Sequence, residues 1–393
     1  MLLMSVACGL CAGANYFNQP LLSSIARALG VGEDAAGVLV TCAQVSYALG
    51  LLFLVPLGDM LERRRLVLTL MRLAALGLLL SAVAHWLPAA FYVLILGTLM
   101  TGLFSVAAQV LVPMASALVA PERSGRAVGL VMSGLLTGIL LSRTVAGVLS
   151  GLGGWQTVYW VGGVAMVVVA ALLARALPVS RNTGPQLGYG AILRSMVGLL
   201  RTTPRLRSRT LLGGLSFASV SVLFSTMALM LAAPPHGLSD TAIGLIGLAG
   251  VAGALMANVA GRLADQGKEQ QVTAAAAAIL VLGWLPLWLG AQSLGLFVVG
   301  MLLVDLALQG VHISNQNVVY RLAPQARARI NACYMTGYFI GASTGSAVGA
   351  VAWSHGGWTG ACIAGVVLAV LNLLALQYDR HLAARQPVAA AAA

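Results

Sequence analysis

Residues 121–155 read PERSGRAVGLVMSGLLTGILLSRTVAGVLSGLGGW, and residues 324–358 read PQARARINACYMTGYFIGASTGSAVGAVAWSHGGW. Pro121, Arg126, Met132, Gly134, Gly138, Gly154 and Trp155 recur as Pro324, Arg329, Met335, Gly337, Gly341, Gly357 and Trp358, every pair 203 positions apart. Chance supplies one or two such coincidences, not seven at one offset, so the chain is internally duplicated. Each copy holds an apolar run, 127–149 and 330–352. A bilayer-spanning helix needs a run of that length, about 20 residues.

Further apolar runs predict spans at 3–22, 36–57, 66–84, 91–113, 156–176, 210–232, 241–261, 272–290, 295–319 and 358–377. That makes twelve, six in each copy of the repeat. An even number of spans per copy leaves both halves with the same orientation, a parallel repeat whose solute site is expected between the halves. The expected fold class is an all-α membrane protein with two pseudo-symmetric six-helix halves. The expected domains are 1–176 and 210–380, joined by a cytoplasmic linker at 177–209 and followed by a tail at 381–393. The linker is rich in Arg and carries Pro178, Pro185 and Pro204.

Hydrophobic residues make up 60% of the chain and charged residues 8%. A soluble globular protein carries roughly 25% charged residues, so most of this surface must face lipid. The net charge of +12 is explained by topology and not by nucleic acid. Arg63, Arg64 and Arg65, then Arg123 and Arg126, the run from Arg175 to Arg209, Arg262 and Lys268, Arg321, Arg327 and Arg329, and finally Arg380 and Arg385 fall on alternate loops. The other loops carry only Arg27. Lys and Arg concentrate on the cytoplasmic side, which puts both termini and the linker in the cytoplasm. The five cysteines lie in apolar runs and read as small core residues. His85, His236 and His355 sit in loops as solvated side chains. No metal and no cofactor is expected.

The loop after span 8 reads Gly261-Arg-Leu-Ala-Asp265-Gln-Gly267-Lys268, and the loop after span 2 reads Pro56-Leu-Gly58-Asp59-Met-Leu-Glu62-Arg63-Arg64-Arg65. With these two loops the chain resembles the major facilitator superfamily, whose hallmark G-x-x-x-D-R/K-x-G-R/K-R/K follows spans 2 and 8. The resemblance covers the whole chain. The N-terminal loop departs from it, with Val55 at the first Gly slot and Glu62 at the second. A carboxylate at such a mouth can pair with nearby Arg and with a helix N-terminus, so Asp59, Arg63, Arg64, Gly261 and Asp265 are the candidate gating residues. Alternatively they form only a tight turn and a positive-inside anchor. Spans 5 and 11 carry small residues four apart: Gly134, Gly138, Ser142, Ala146 and Ser150, and Gly337, Gly341, Gly345 and Gly349. Such stripes let helices pack closely; in the resembled fold these spans also line the interface where the halves rock. Span 5 resembles the antiporter signature G-x-x-x-G-P-x-x-G-G, with Arg143 where the proline belongs. Span 4 lacks the R-x-x-Q-G of the drug exporters and has Thr98, Thr101 and Gly102 instead.

Ionisable residues at membrane depth are costly, so they are functional candidates. Asp305 in span 10 is the acidic residue expected deep in a span, and Gln309, His312 and Gln316 follow it on one helical face, with Asn315 adjacent. Thr98, Thr101, Ser105 and Gln109 share a face of span 4, and Asn15, Asn18 and Gln19 precede Pro20 in span 1. In the resembled fold spans 1, 4, 7 and 10 line the central cavity. Asp305 and His312 are the candidate proton-coupling pair. Asn15, Gln19, Gln109, Arg143, Gln309, Asn315 and Gln316 are the candidate substrate-binding residues. Arg143 has two readings: it reaches out to the membrane interface, or it faces the cavity.

The wording ANYFNQPLL, PLGDMLERRRL and DLALQGVHISNQNVVYRLAP is similar to a bacterial subgroup related to the sugar and purine-nucleoside exporters among the drug:proton antiporters. That resemblance implies proton-coupled efflux of a small organic molecule by a monomer. Uptake or facilitated diffusion is the rival within transport. A membrane-embedded sensor or enzyme is the rival outside it, and the chain has no phosphate-binding Gly-rich loop, metal-spaced cluster or nucleophile–base motif to support one.

Overall fold

A computed structural model describes residues 1–120, 124–180, 188–247, 263, 266–322 and 327–385. The described residues are helical and contain no strand. The helices are α1 (Leu2–Ala14), α2 (Leu22–Leu29), α3 (Glu33–Phe53), α4 (Arg63–Val83), α5 (Ala90–Phe104), α6 (Ala107–Ala117), α7 (Ser124–Gly153), α8 (Trp155–Ala176), α9 (Tyr189–Thr202), α10 (Pro204–Ala232), α11 (Asp240–Ile246), α12 (Glu269–Leu289), α13 (Leu294–Leu322) and α14 (Arg327–Arg385). Nine segments among the described residues are long and apolar enough to cross a membrane. Span 1 is interrupted, α11 opens span 8, and α14 joins spans 11 and 12 across a kink at Gly357. Among the described residues the architecture is all-α, as the sequence predicts.

The duplication is visible in the backbone. Gly154 and Gly357, equivalent in the repeat, have φ of 84° and 53°. Glycine adopts that left-handed region at little steric cost, so each ends one span and lets Trp155 or Trp358 begin the next. Two predicted spans are not continuous helices. Span 1 ends its first helix at Ala14, turns through 15–18, makes one 3-10 turn at Gln19–Leu21 and resumes as α2. Pro20, in that turn, lacks the N–H that a continuing α-helix would need. Span 4 breaks between Phe104 and Ala107.

Contacts divide the chain into two compact units, one of Met1–Ala191 with Met227–Leu248, the other of Ile192–Thr226 with Ala249–Ala393. The division runs through α10. In the first unit, α1 lies against α7. A Cβ on Gly13 would sit 2.8 Å from the carbonyl oxygen of Gly138, and one on Gly138 would overlap Gly9. Farther along α7, Gly147 and Gly151 pack on Asp240 and Thr241 of α11, and Thr144 Oγ1 donates to the Gly244 carbonyl at 2.8 Å.

In the second unit, α14 packs on α10 in the same way. A Cβ on Gly341 would overlap Gly214, one on Gly345 would overlap Ala218, and one on Gly349 would lie 3.1 Å from the Val222 Cα. Gly9 and Gly13 correspond to Gly214 and Ala218 at a common offset of 205. Both small-residue stripes therefore have packing partners inside their own units. Between helices in lipid, close van der Waals contact of this kind drives association, because burial from water contributes nothing.

The 177–209 segment is not plain linker. Within it α9 buries Ile192 and Met196, Arg329 donates to Ser195 Oγ at 3.0 Å, and α10 begins at Pro204.

Candidate functional site

The break in span 1 positions the first group of candidate residues. Gln19, 2% exposed, accepts a hydrogen bond from Arg143 Nε at 2.7 Å. The Arg143 guanidinium carbon stands 5.2 Å from the centre of the Tyr16 ring, a cation–π geometry. Arg143 is itself only 7% exposed, so its charge is held in the protein interior against the elbow of span 1. Asn15, Asn18, Thr98 and Thr101 are buried together in the same unit. Gln109 is half-buried, with Nε2 3.4 Å from Tyr47 Oη. Between α1 and α7 runs an apolar groove of about 490 Å³, lined among others by Gly9, Gly13, Phe17, Gly138 and Leu141.

In the second unit, Asp305, Gln309, His312 and Gln316 are all partly exposed, whereas Leu308, Val311, Ser314 and Asn315 on the same helix are buried. The polar face expected from the sequence is therefore the accessible face of α13. His312 Nδ1 lies 3.0 Å from Tyr334 Oη, and its ring packs against Tyr334 and Tyr338 with centroids 5.6 and 4.5 Å away. Tyr338 in turn stacks on Phe217 at 4.3 Å. An aromatic wall thus fixes the imidazole two turns from Asp305.

Asn315 is placed elsewhere. Fully buried, it accepts from Arg209 Nη1 at 3.1 Å and donates to the Arg209 carbonyl at 3.2 Å. It belongs to a polar network that the sequence did not reveal. Arg209 and Asp379, both with side chains 0% exposed, form an ion pair at 2.7 Å. Arg205 stands 3.7 Å from the same carboxylate, Ser208 Oγ donates to it at 2.6 Å and Gln270 Nε2 at 3.2 Å. Thr273 and Gln270 also accept from Arg209. Asp240 is a second buried carboxylate, 8% exposed and bonded by Ser150 Oγ at 2.7 Å. These two carboxylates lie at span ends, whereas Asp305 lies within a span. Asp379 falls just beyond the apolar run assigned to span 12, and Asp240 just ahead of that assigned to span 8, so hydropathy placed both in loops.

The loop after span 2 is pinned to the end of span 6. Glu62 is the N-cap of α4, accepting from the backbone N–H groups of Arg64 at 2.9 Å, Arg65 at 3.0 Å and Ser180 at 3.1 Å. An acidic N-cap satisfies donors a helix start leaves unpaired, which gives Glu62 a reason to stand in the second Gly slot. Arg63 Nε donates to the Gly58 carbonyl at 3.1 Å, and Arg64 to the Ala174 carbonyl. The side chain of Asp59, and all of Gly261 and Asp265, lie outside the described residues. Among the described residues no group of His, Cys, Asp and Glu could hold a metal ion.

The model of the Major Facilitator Superfamily matches residues 4–323 and 210–392 of the chain. The uncharacterized transporter YgaY of Escherichia coli is 51% identical over 374 residues, covering 95% of this chain and 94% of that protein. A probable transporter of Streptomyces coelicolor, SCO4007, is 32% identical over 92% of this chain and 83% of its own. Among solved structures, a bacterial homolog to the human lysosomal transporter Spinster, in an inward-facing and occupied conformation, matches with a TM-score of 0.78 at 14% identity, covering 98% of this chain and 96% of that one.

Proposed function

Because the chain belongs to the major facilitator superfamily, we propose that this multi-pass membrane transporter exports a small, neutral or weakly polar organic solute in exchange for protons. The observation that carries the reading is the accessible face of α13, where one carboxylate, Asp305, lies in line with Gln309, His312 and Gln316. A carboxylate on such a face binds and releases a proton as its surroundings alternate between wet and dry, since desolvation favours the neutral form. Linked occupancy of proton and solute then biases the two access states. His312, held by Tyr334, is the second titratable group of this face.

Gln109, Gln309 and Gln316, all partly exposed, supply hydrogen bonds to the solute, while Gln19 and Arg143, buried against each other, position the elbow of span 1. The apolar groove along α1 and α7 supports a substrate with a substantial apolar part. Asn15 and Asn315, enclosed in their units, serve those units and not the solute. Asp59, Arg63, Arg64, Gly261 and Asp265 gate the cytoplasmic mouth, with both termini on that side of a bacterial inner membrane.

The test begins with a thermal-shift screen of neutral small organic solutes on the purified protein. A hit is then loaded into proteoliposomes, and an imposed pH gradient should drive it against its own gradient. Transport of the hit that is indifferent to the pH gradient would favour facilitated diffusion, the reading suggested by Arg143 at the proline slot of the antiporter signature.

A further inference from the structure

Asn15, Asn18, Thr98, Thr101 and Tyr159 surround a small, partly open cavity inside the first unit, its wall completed by Ala14 and Ala43. Every one of the five polar residues is at least nine-tenths buried, with exposures of 3, 4, 6, 5 and 4%. The Asn15 Nδ2 and Oδ1, the Asn18 Oδ1, the Thr98 and Thr101 Oγ1 and the Tyr159 Oη have no hydrogen-bond partner among the described residues. Buried polar groups in folded proteins are almost always satisfied, by protein or by ordered water. A cluster of unsatisfied ones turned on one cavity calls for an occupant that can both donate and accept.

The cavity has about 10 Å³ for the centre of a water-sized sphere, and about 10–15 Å³ is what a single water needs. We propose that it binds one structural water. The water accepts from Asn15 Nδ2 or a hydroxyl and donates to the amide oxygens, within the two to four bonds a buried water makes. A cation fits poorly, because the wall has an amide donor and no carboxylate to balance the charge. A solute is too large. The site lies where span 1 stops being helix, after Ala14, and beside the stretch of span 4 that breaks at Phe104. It therefore ties the elbow that carries Gln19 to span 4, and through Gln19 it holds Arg143. This assignment stands whether or not the chain exports its solute.

X-ray hydroxyl-radical footprinting of the wild-type protein in lipid nanodiscs tests it, because a bound water is radiolysed in place and labels its neighbour. Tyr159 should be labelled on the order of tenfold faster than Trp284, which is 1% exposed and hydrogen-bonded to Ser219. Thr98→Val with Thr101→Val should bring the Tyr159 rate down to that of Trp284. Ala43→Ser, which places a hydroxyl where the water sits, should do the same and guards against a folding defect in the first variant. Labelling of Tyr159 as slow as that of Trp284 in the wild type would overturn the proposal. So would a saturable rise in thermal stability with Na⁺ over choline, which would identify a cation in place of water.

Discussion

Arg209→Met removes a fully buried charge while keeping most of the side-chain volume. It deletes the 2.7 Å ion pair to Asp379 and the bonds to Thr273, Gln270 and Asn315. Asp379 stays fully buried, left with Ser208 Oγ at 2.6 Å, Gln270 Nε2 at 3.2 Å and Arg205 at 3.7 Å. Removing one partner of a buried pair costs about 3–5 kcal/mol when the other charge is left uncompensated; here Arg205 still pairs with Asp379, so the loss sits at the lower end, about 3 kcal/mol. A ΔΔG of 1 kcal/mol moves Tm by roughly 2–4 °C in a unit of this size, so Tm should fall by roughly 6–12 °C. Intrinsic tryptophan fluorescence during heating of the detergent-purified protein reads this directly. Adding Asp379→Asn to the same chain removes the carboxylate that Arg209 bonds, so the double variant should lose less than the two single losses together. A Tm within about 2 °C of wild type for Arg209→Met would refute the claim that the network holds the second unit together.

Three further expectations follow from the geometry. Gly138→Ala drives a methyl into Gly9 and should destabilise the protein by about 1–3 kcal/mol, with Gly341→Ala behaving alike against Gly214, whereas Gly129→Ala, with open space around it, should not. Burial alone would raise the Glu62 carboxyl, but the N–H groups of Ser180, Arg65 and Arg64 and the Arg65 charge outweigh it and hold the group below the usual carboxylate range. Its contribution is therefore present above the unfolded carboxylate pKa and lost as pH falls through the folded one, so the Tm gap between wild type and Glu62→Gln should close as pH drops below about 4. Arg143→Lys should impair transport without unfolding the protein, because an ammonium cannot both bond Gln19 edge-on and lie flat over Tyr16; wild-type rates would show that the planar fork is not needed.

The spans and their duplication were legible because lipid demands long apolar runs, and because Gly154 and Gly357 must each turn the chain in the left-handed region. The face of Asp305, Gln309, His312 and Gln316 was legible from its helical spacing, and it is the accessible side of α13. What hydropathy could not show was where polar side chains find partners across helices. Arg209 read as linker, Asp379 as the loop end of the second half and Asn315 as part of the solute face, yet the three meet in one buried network. Span 1 read as one helix through Leu22; Pro20 was visible, but the extent of the interruption from residue 15 depends on the pocket that receives Asn15 and Asn18. Glu62 read as a lapse from the loop pattern because capping is set by backbone geometry that the pattern does not encode.

The central claim is that Asp305 couples proton movement to solute export. Its most direct test uses proteoliposomes filled with a pH-sensitive dye and the solute selected by the thermal-shift screen. In wild type, adding the solute should shift the internal pH, and an imposed pH gradient should drive the solute uphill. In Asp305→Asn, nearly isosteric and not titratable, both effects should vanish while the thermal shift by the solute persists. Full gradient-driven transport by Asp305→Asn would contradict the account and leave His312 as the titratable group on that face.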